Sequence, residues 1–319
     1  MKAFLWGEED FLIWRKIDNE KNDFKKKNPQ AICREFDLEE NFDRDQLTEI
    51  LFQGGSLFSR EELFILGDIF SLSLPQQEEL KKILSGINFE SEKKNVILFH
   101  RGGLKKYRSN HLCKFVLNNF SSLEFKKIPA AKIADWLLAE AEFLSGNKID
   151  IGRSARERLI LLSQSNLWFL HNEIKKLVNY IGDRKEIKME DLEEISCGKM
   201  EAKIFDLVDA IGRKDKKRAI NLVASLTDQG SKELYIFSMI AFQLRNLAKI
   251  YDIKRENNQW IAKKTKLHPF VVEKTKKQLA NFNRQEIKRA YNKLAEFDYG
   301  FKTGKINPEK ALYDLVISL

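Results

Sequence analysis

Gly54-Gly55-Ser56-Leu57-Phe58-Ser59-Arg60-Glu61-Glu62-Leu63-Phe64-Ile65-Leu66-Gly67-Asp68 is the stretch that decides how this chain is read. Leu63 to Leu66 is a run of four apolar residues ending at Gly-Asp, the pattern of a short strand buried in a sheet. Before it, two glycines turn the chain and two large apolar residues, Leu57 and Phe58, follow at once between serines. A Leu-Phe pair at a turn is either tucked into the core or held out for a partner.

Around this stretch, residues 1–128 alternate strand-like and helix-like segments. Ala3 to Trp6, Ala31 to Phe36, Leu63 to Leu66, Asn95 to Phe99 and Ser122 to Phe125 read as strands. Helices are expected from Glu9 to Lys27, from Asp43 to Phe52, after Pro75 and around Asn110 to Leu117. Five strands with helices between them predict a parallel α/β sheet with both faces covered. Ser59-Arg60-Glu61-Glu62 matches a capping box but precedes a strand-like run, so it is set aside as a helix start.

After Pro129 the strand signals stop. Helices over Ala130–Leu144, Ala155–Ser163 and Leu167–Ile181, with another at Met189, predict a small helical domain over 129–200. From 201 onward long helices follow one another with short polar loops, among them one from Lys232 to about Glu256 and one over 258–265, which predicts an all-α bundle.

The chain has 319 residues, of which 43% are hydrophobic and 32% charged, the balance of a globular protein. No apolar run approaches the roughly 20 residues that a membrane helix needs. Cys33, Cys113 and Cys197 have no metal-ligand or CxxC spacing, which reads as a reduced cytosolic protein. Net charge is +9, and residues 201–319 hold 24 Lys and Arg against 14 Asp and Glu. The basic excess therefore sits in the last third. It suits a surface facing nucleic acid or an acidic partner, and equally a solvated lysine-rich helical domain.

A parallel sheet whose first strand ends in glycine invites a nucleotide, because phosphates sit where that strand hands over to a helix. Here the handover reads Gly7-Glu8-Glu9-Asp10, with no phosphate-cradling glycines and no lysine. Gly300-Phe301-Lys302-Thr303-Gly304-Lys305 is one residue short of a P-loop and follows a helix. Arg101-Gly102-Gly103 after a strand could hold phosphate, but a loop turn is the expected role. The four histidines share no motif, and His111 and Cys113 at i,i+2 face different ways on a helix. No catalytic constellation, metal site or cofactor is expected. The interaction features are Leu57-Phe58 and the basic helices bearing Arg245, Lys249, Lys254, Arg255, Lys263, Lys264, Lys266, Lys274, Lys276 and Lys277, interleaved with Trp260 and Phe270. For Trp260, a core anchor is expected ahead of a base-stacking platform.

Four stretches, in order, carry a family resemblance. They are Phe4-Leu5-Trp6-Gly7-Glu8-Glu9-Asp10-Phe11-Leu12-Ile13; Asn172 to Tyr180 followed by Ile187 to Leu192; Phe242-Gln243-Leu244-Arg245-Asn246-Leu247; and Asp298 to Gly304 followed by Ala311-Leu312. The sequence resembles the delta subunit of bacterial DNA polymerase III, a clamp-loader subunit, over its whole length. The resemblance implies an AAA+-like α/β domain without a nucleotide site at 1–128, a small helical lid domain at 129–200 and a helical collar domain at 201–319. It implies that Ser56, Leu57 and Phe58 enter a pocket on the beta sliding clamp as a wedge that helps open the ring for loading on primed DNA. Burying Leu and Phe side chains contributes roughly 1.5–3 kcal/mol each. Exposed in the free chain, such a pair risks nonspecific sticking, so partial shielding is expected. The resemblance further implies no ATP hydrolysis by this chain, although it serves a DNA-directed DNA polymerase holoenzyme, a nucleotidyltransferase as a complex. The implied partners are the clamp, the gamma/tau and delta-prime subunits met through the collar, and primer-template DNA, with no membrane. A stand-alone DNA-binding module and a degenerate nucleotide-binding enzyme are the alternatives.

Overall fold

Leu63, Phe64, Ile65 and Leu66 are all buried, and they alternate between two layers. Leu63 and Ile65 join Leu5 and Ile97 against Ile13 and Ile17 of the first helix. Phe64 and Leu66 join Phe4, Val96 and Leu98 against Leu47, Leu51, Leu80, Leu84, Leu112 and Val116. A strand that is apolar on both faces has to be covered on both, and the helices on either side do this. The computed structural model describes residues 1–39, 42–53, 61–87, 89, 94–163, 165–195, 198–228 and 232–318. It divides into two compact units, Met1–Ile128 and Pro129–Leu319.

The first unit runs β1 (Lys2–Gly7), α1 (Asp10–Lys27), β2 (Ile32–Asp37), α2 (Arg44–Gln53), β3 (Glu62–Gly67), α3 (Leu74–Gly86), β4 (Lys94–Arg101), α4 (His111–Asn119) and β5 (Ser121–Phe125). The sheet is parallel throughout with strand order β2-β3-β4-β1-β5, the five-stranded α/β arrangement expected. α1 covers one face, and α2, α3 and α4 cover the other. Local chemistry sets the helix starts. Ser73 and Gln76 form a capping box at α3 with Pro75 in its first turn, and the Asn110 side chain accepts from the Leu112 and Cys113 amides at α4.

The second unit begins with α5 (Ile133–Ser145), β6 (Asp150–Ile151), α6 (Arg153–Ser163), α7 (Leu167–Ile181), β7 (Glu186–Ile187) and α8 (Met189–Glu194). Leu170, Ile174, Leu177, Val178 and Ile181 form the buried stripe of α7. Glu140 of α5 is buried, with an oxygen 2.7 Å from His171 Nδ1 of α7. The parallel pair β6–β7 departs from the all-helical expectation, because two-residue strands carry no periodicity. Then come α9 (Gly198–Gly212), α10 (Lys216–Asp228), α11 (Glu233–Tyr251), α12 (Asn258–Thr265), α13 (Pro269–Gln278), α14 (Arg284–Lys302) and α15 (Pro308–Ser318). These helices share one core, which Leu161 of α6 also enters. The helix expected from Lys232 to Glu256 stops at Tyr251, in a turn without glycine or proline. No helix among the described residues is long and apolar enough to cross a membrane.

Gly7 shows how tightly β1 meets β5. Its φ is 148°, and a Cβ there would lie 2.0 Å from the Phe125 carbonyl oxygen. We expect Gly7→Ala to cost roughly 2–4 kcal/mol in urea unfolding, from backbone strain plus the clash. Gly103→Ala, where a Cβ meets nothing within 4 Å, should change the midpoint little.

Candidate functional site

The carboxyl ends of β1 to β4 form the rim where parallel α/β sheets hold ligands. Two residues, Glu8 and Glu9, separate β1 from α1. The Glu9 amide, at the N-terminus of α1, donates to the Phe125 carbonyl at 3.2 Å. Glu9 is 2% exposed, with Lys127 Nζ 3.5 Å from its carboxylate. Burial pushes the Glu9 carboxyl up, against the opposing pull of Lys127. A helix N-terminus favours an anion, and here the protein's own acid stands next to it. A two-residue acidic connection closed by the backbone of β5 offers no cradle for a phosphate.

A second cluster lies at the ends of β2, β3 and β4. β3 hands over at Gly67 to Asp68, whose backbone is left-handed at φ 49°. Asp68 Oδ1 accepts the Arg101 amide at 2.8 Å, and Oδ2 accepts the Arg101 guanidinium. Arg101 Nη2 also stands 3.6 Å from Asp37 Oδ2 and 3.7 Å from Glu39 Oε2. His100 Nδ1 is 3.6 Å from Asp68 Oδ1, beyond a good hydrogen bond, and among the described residues this buried nitrogen has no closer partner. The His100 ring packs edge-on to Phe70 and Tyr107. Burial opposes the charge on Asp68, but the His100 ring and the Arg101 amide and guanidinium outweigh it and hold its pKa at about 2.

Asp37, Glu39 and Asp68 offer oxygen atoms within 4.8 Å of one another, a spacing that could hold a cation. Arg101 is the cation they face. An acid with a pKa of about 2 is a poor proton acceptor near neutral pH. The cluster therefore works as a clasp joining three strand ends, not as a base. Gly67-Asp68 and Arg101-Gly102-Gly103 are each visible in the sequence. Their pairing is not, because it depends on β3 lying beside β4.

Ser56, Leu57 and Phe58 lie outside the described residues. The described ends that flank them are at the opposite edge of the sheet, where α2 finishes and β3 starts. Buried polar ties fix both ends. Lys94, 4% exposed, donates to the Leu51 carbonyl in α2. Glu62 is buried, facing Arg34 at 4.0 Å, and Asn95 Nδ2 donates to Glu61 Oε2 at 3.1 Å. Sequence reasoning misses these polar anchors. A lysine and an asparagine heading an apolar strand are their only signal.

In the basic third, several of the named lysines are held internally. Lys274 pairs with Asp209 at 2.7 Å, Lys277 with Glu273 at 2.8 Å, and Lys276 donates to the Glu256 carbonyl at 2.9 Å. Trp260 corrects the sequence expectation. It is 42% exposed and no core anchor, because Ile261 and Ala262 take the buried side of α12.

Fold and rim together define a five-stranded parallel α/β domain whose first strand-to-helix connection is acidic and held by the β5 backbone, followed by a helical unit. Residues 201–319 match the family model for the DNA polymerase III delta subunit, C-terminal domain. The DNA polymerase III subunit delta of Bacillus subtilis is 28% identical over 212 residues, covering 65% of this chain and 60% of that protein's length. The probable DNA polymerase III subunit delta of Aquifex aeolicus is 21% identical over 252 residues, covering 79% of this chain and 70% of its own. The solved Bacillus subtilis DNA clamp loader delta protein superposes with a TM-score of 0.60 over 99% of this chain and 94% of that one, at 23% identity, and so has the same fold. The chain is thus similar to DNA polymerase III delta subunits, through the family model over its last 119 residues and through these relatives over most of its length.

The clasp makes a pH prediction. The folded pKa of Asp68, about 2, lies below its ordinary 3.8. Its contribution is fully present above about pH 4 and is lost as pH falls toward 2, about 2 kcal/mol in all. Urea midpoints followed across this window should fall more steeply for the native chain than for Asp68→Asn.

Proposed function

We propose that this chain is the non-catalytic delta subunit of a clamp loader, and that it binds and helps open a ring-shaped sliding clamp. The match of residues 201–319 to the delta C-terminal domain is the observation that carries this reading. The closed phosphate position beside Glu9 supports a subunit that leaves nucleotide work to its neighbours.

In this reading Leu57 and Phe58 enter an apolar pocket on the beta clamp, with Ser56 beside them. Two apolar anchors in one pocket can dominate an interface. The described ends on either side of them, in α2 and β3, are fixed by Lys94, Asn95 and Glu62, so force at the contact would pass into the central sheet. Residues 129–200 serve as the lid and 201–319 as the collar that joins the gamma/tau and delta-prime subunits around primer-template DNA.

Binding to the cognate clamp, measured by calorimetry or surface resonance, is the test. With roughly 1.5–3 kcal/mol per anchor, Leu57→Ala with Phe58→Ala should weaken binding about a hundredfold or more while leaving the circular dichroism spectrum unchanged. Unchanged affinity in the double variant would falsify the wedge assignment. ATP turnover by the isolated chain would instead favour a degenerate nucleotide enzyme.

A further inference from the structure

Trp260, Lys263 and Lys264 lie at i, i+3 and i+4 on α12, which places them on one face, and all three are exposed. Trp260 sits in the first turn. Its amide is held by the Asn257 side chain at 2.8 Å, so the ring stands on a capped, fixed backbone. Lys264 Nζ is 4.6 Å from the ring centroid. Lys254 and Arg255 lie in the turn before the helix, and Lys266 at its end. These five cations have no carboxylate within 4.0 Å among the described residues, in contrast to Lys274 and Lys277. Glu256 is the one acid between residues 253 and 272, while nearby Asp252 faces Arg284 at 3.5 Å.

Unpaired cations held close together repel one another, and an exposed indole leaves apolar surface in water. One class of ligand relieves both. A single-stranded nucleic acid offers phosphates to the cations and an open base face to the ring. A duplex offers the phosphates alone, because its bases are already stacked.

We propose that the face of α12 formed by Trp260, Lys263 and Lys264, with Lys254, Arg255 and Lys266 at its ends, binds single-stranded nucleic acid by stacking a base on Trp260. The Lys264 ammonium, now over the ring, moves aside to a phosphate as the base arrives. This deepens the clamp-loader reading by locating a single-strand contact, yet it stands on α12 alone.

The test is fluorescence anisotropy of a labelled oligothymidylate of about twenty nucleotides with the full chain, at about 50 and 200 mM salt. Trp260→Ala should weaken binding about 10- to 100-fold, and Trp260→Phe, which keeps a stacking ring, only a few-fold. Lys263→Ala with Lys264→Ala should lower the salt slope by about 1.4, at about 0.7 for each phosphate that a lysine no longer neutralises. The proposal is overturned if Trp260→Ala binds like the native chain, if it loses the same factor on a duplex of equal length, or if the native chain does not bind at the lower salt. Leu57→Ala with Phe58→Ala should bind the oligonucleotide normally. Failure of the clamp assignment and failure of this one are therefore read from different variants.

Discussion

The burial of β3 on both faces is the constraint on which the first unit depends. Phe64 and Leu66 need α2, α3 and α4, while Leu63 and Ile65 need α1, so one register satisfies both layers. A slip by one residue would exchange the two sets. That fixed register puts the two polar ends of the strand at opposite edges of the sheet. Asp68 stands at the carboxyl edge with Arg101, and Glu62 stands at the amino edge, where the segment holding Leu57 and Phe58 rejoins the sheet.

At the carboxyl edge, the strong polar demands of the rim are met from within. The positive end of α1 faces Glu9, and the carboxylates at the ends of β2 and β3 share Arg101. A phosphate arriving there would meet acids where a nucleotide-binding relative of this layout needs glycines and lysine. Closure of this kind also stabilises. Asp68 is buried and charged, which is tolerable because Arg101 supplies two kinds of donor, backbone and guanidinium, to the same carboxylate. The same contacts that line this rim with acids thus lock the strand ends together.

Much of the architecture was legible because it rests on local signals. The stripe of α7 has helical period and ends at Gly182, and α12 runs over the residues its pattern predicts, capped by Asn257. What escaped depends on distant pairing or on one residue's angular position. β6 and β7 exist through each other and are too short to show alternation. The Asp68–Arg101 clasp joins residues 33 apart in sequence. Trp260 next to Ile261 and Ala262 looks like core, yet successive residues on a helix point about 100° apart, and that single step carries the ring into solvent. As a site, Ser56 to Phe58 stand out through a family resemblance alone and lie outside the described residues. The structure supplies the two anchored ends that flank them.

The two units differ in how their charge is used, and this bears on what each can contribute. In the first unit 21 Lys and Arg balance 21 Asp and Glu, and three of these cations meet partners across the sheet: Lys94 the Leu51 carbonyl, Arg101 three carboxylates and Lys127 Glu9. Charges neutralised this way exert little field beyond their own pair. The second unit keeps uncompensated cations on α12 and the turn before it, and an excess of +10 over residues 201–319. An uncompensated basic face exerts a long-range field that attracts polyanions. Under the two proposals made above, the apolar pair would serve one partner through the first unit and the α12 face a second, polyanionic one by charge, with neither contact drawing on the residues of the other.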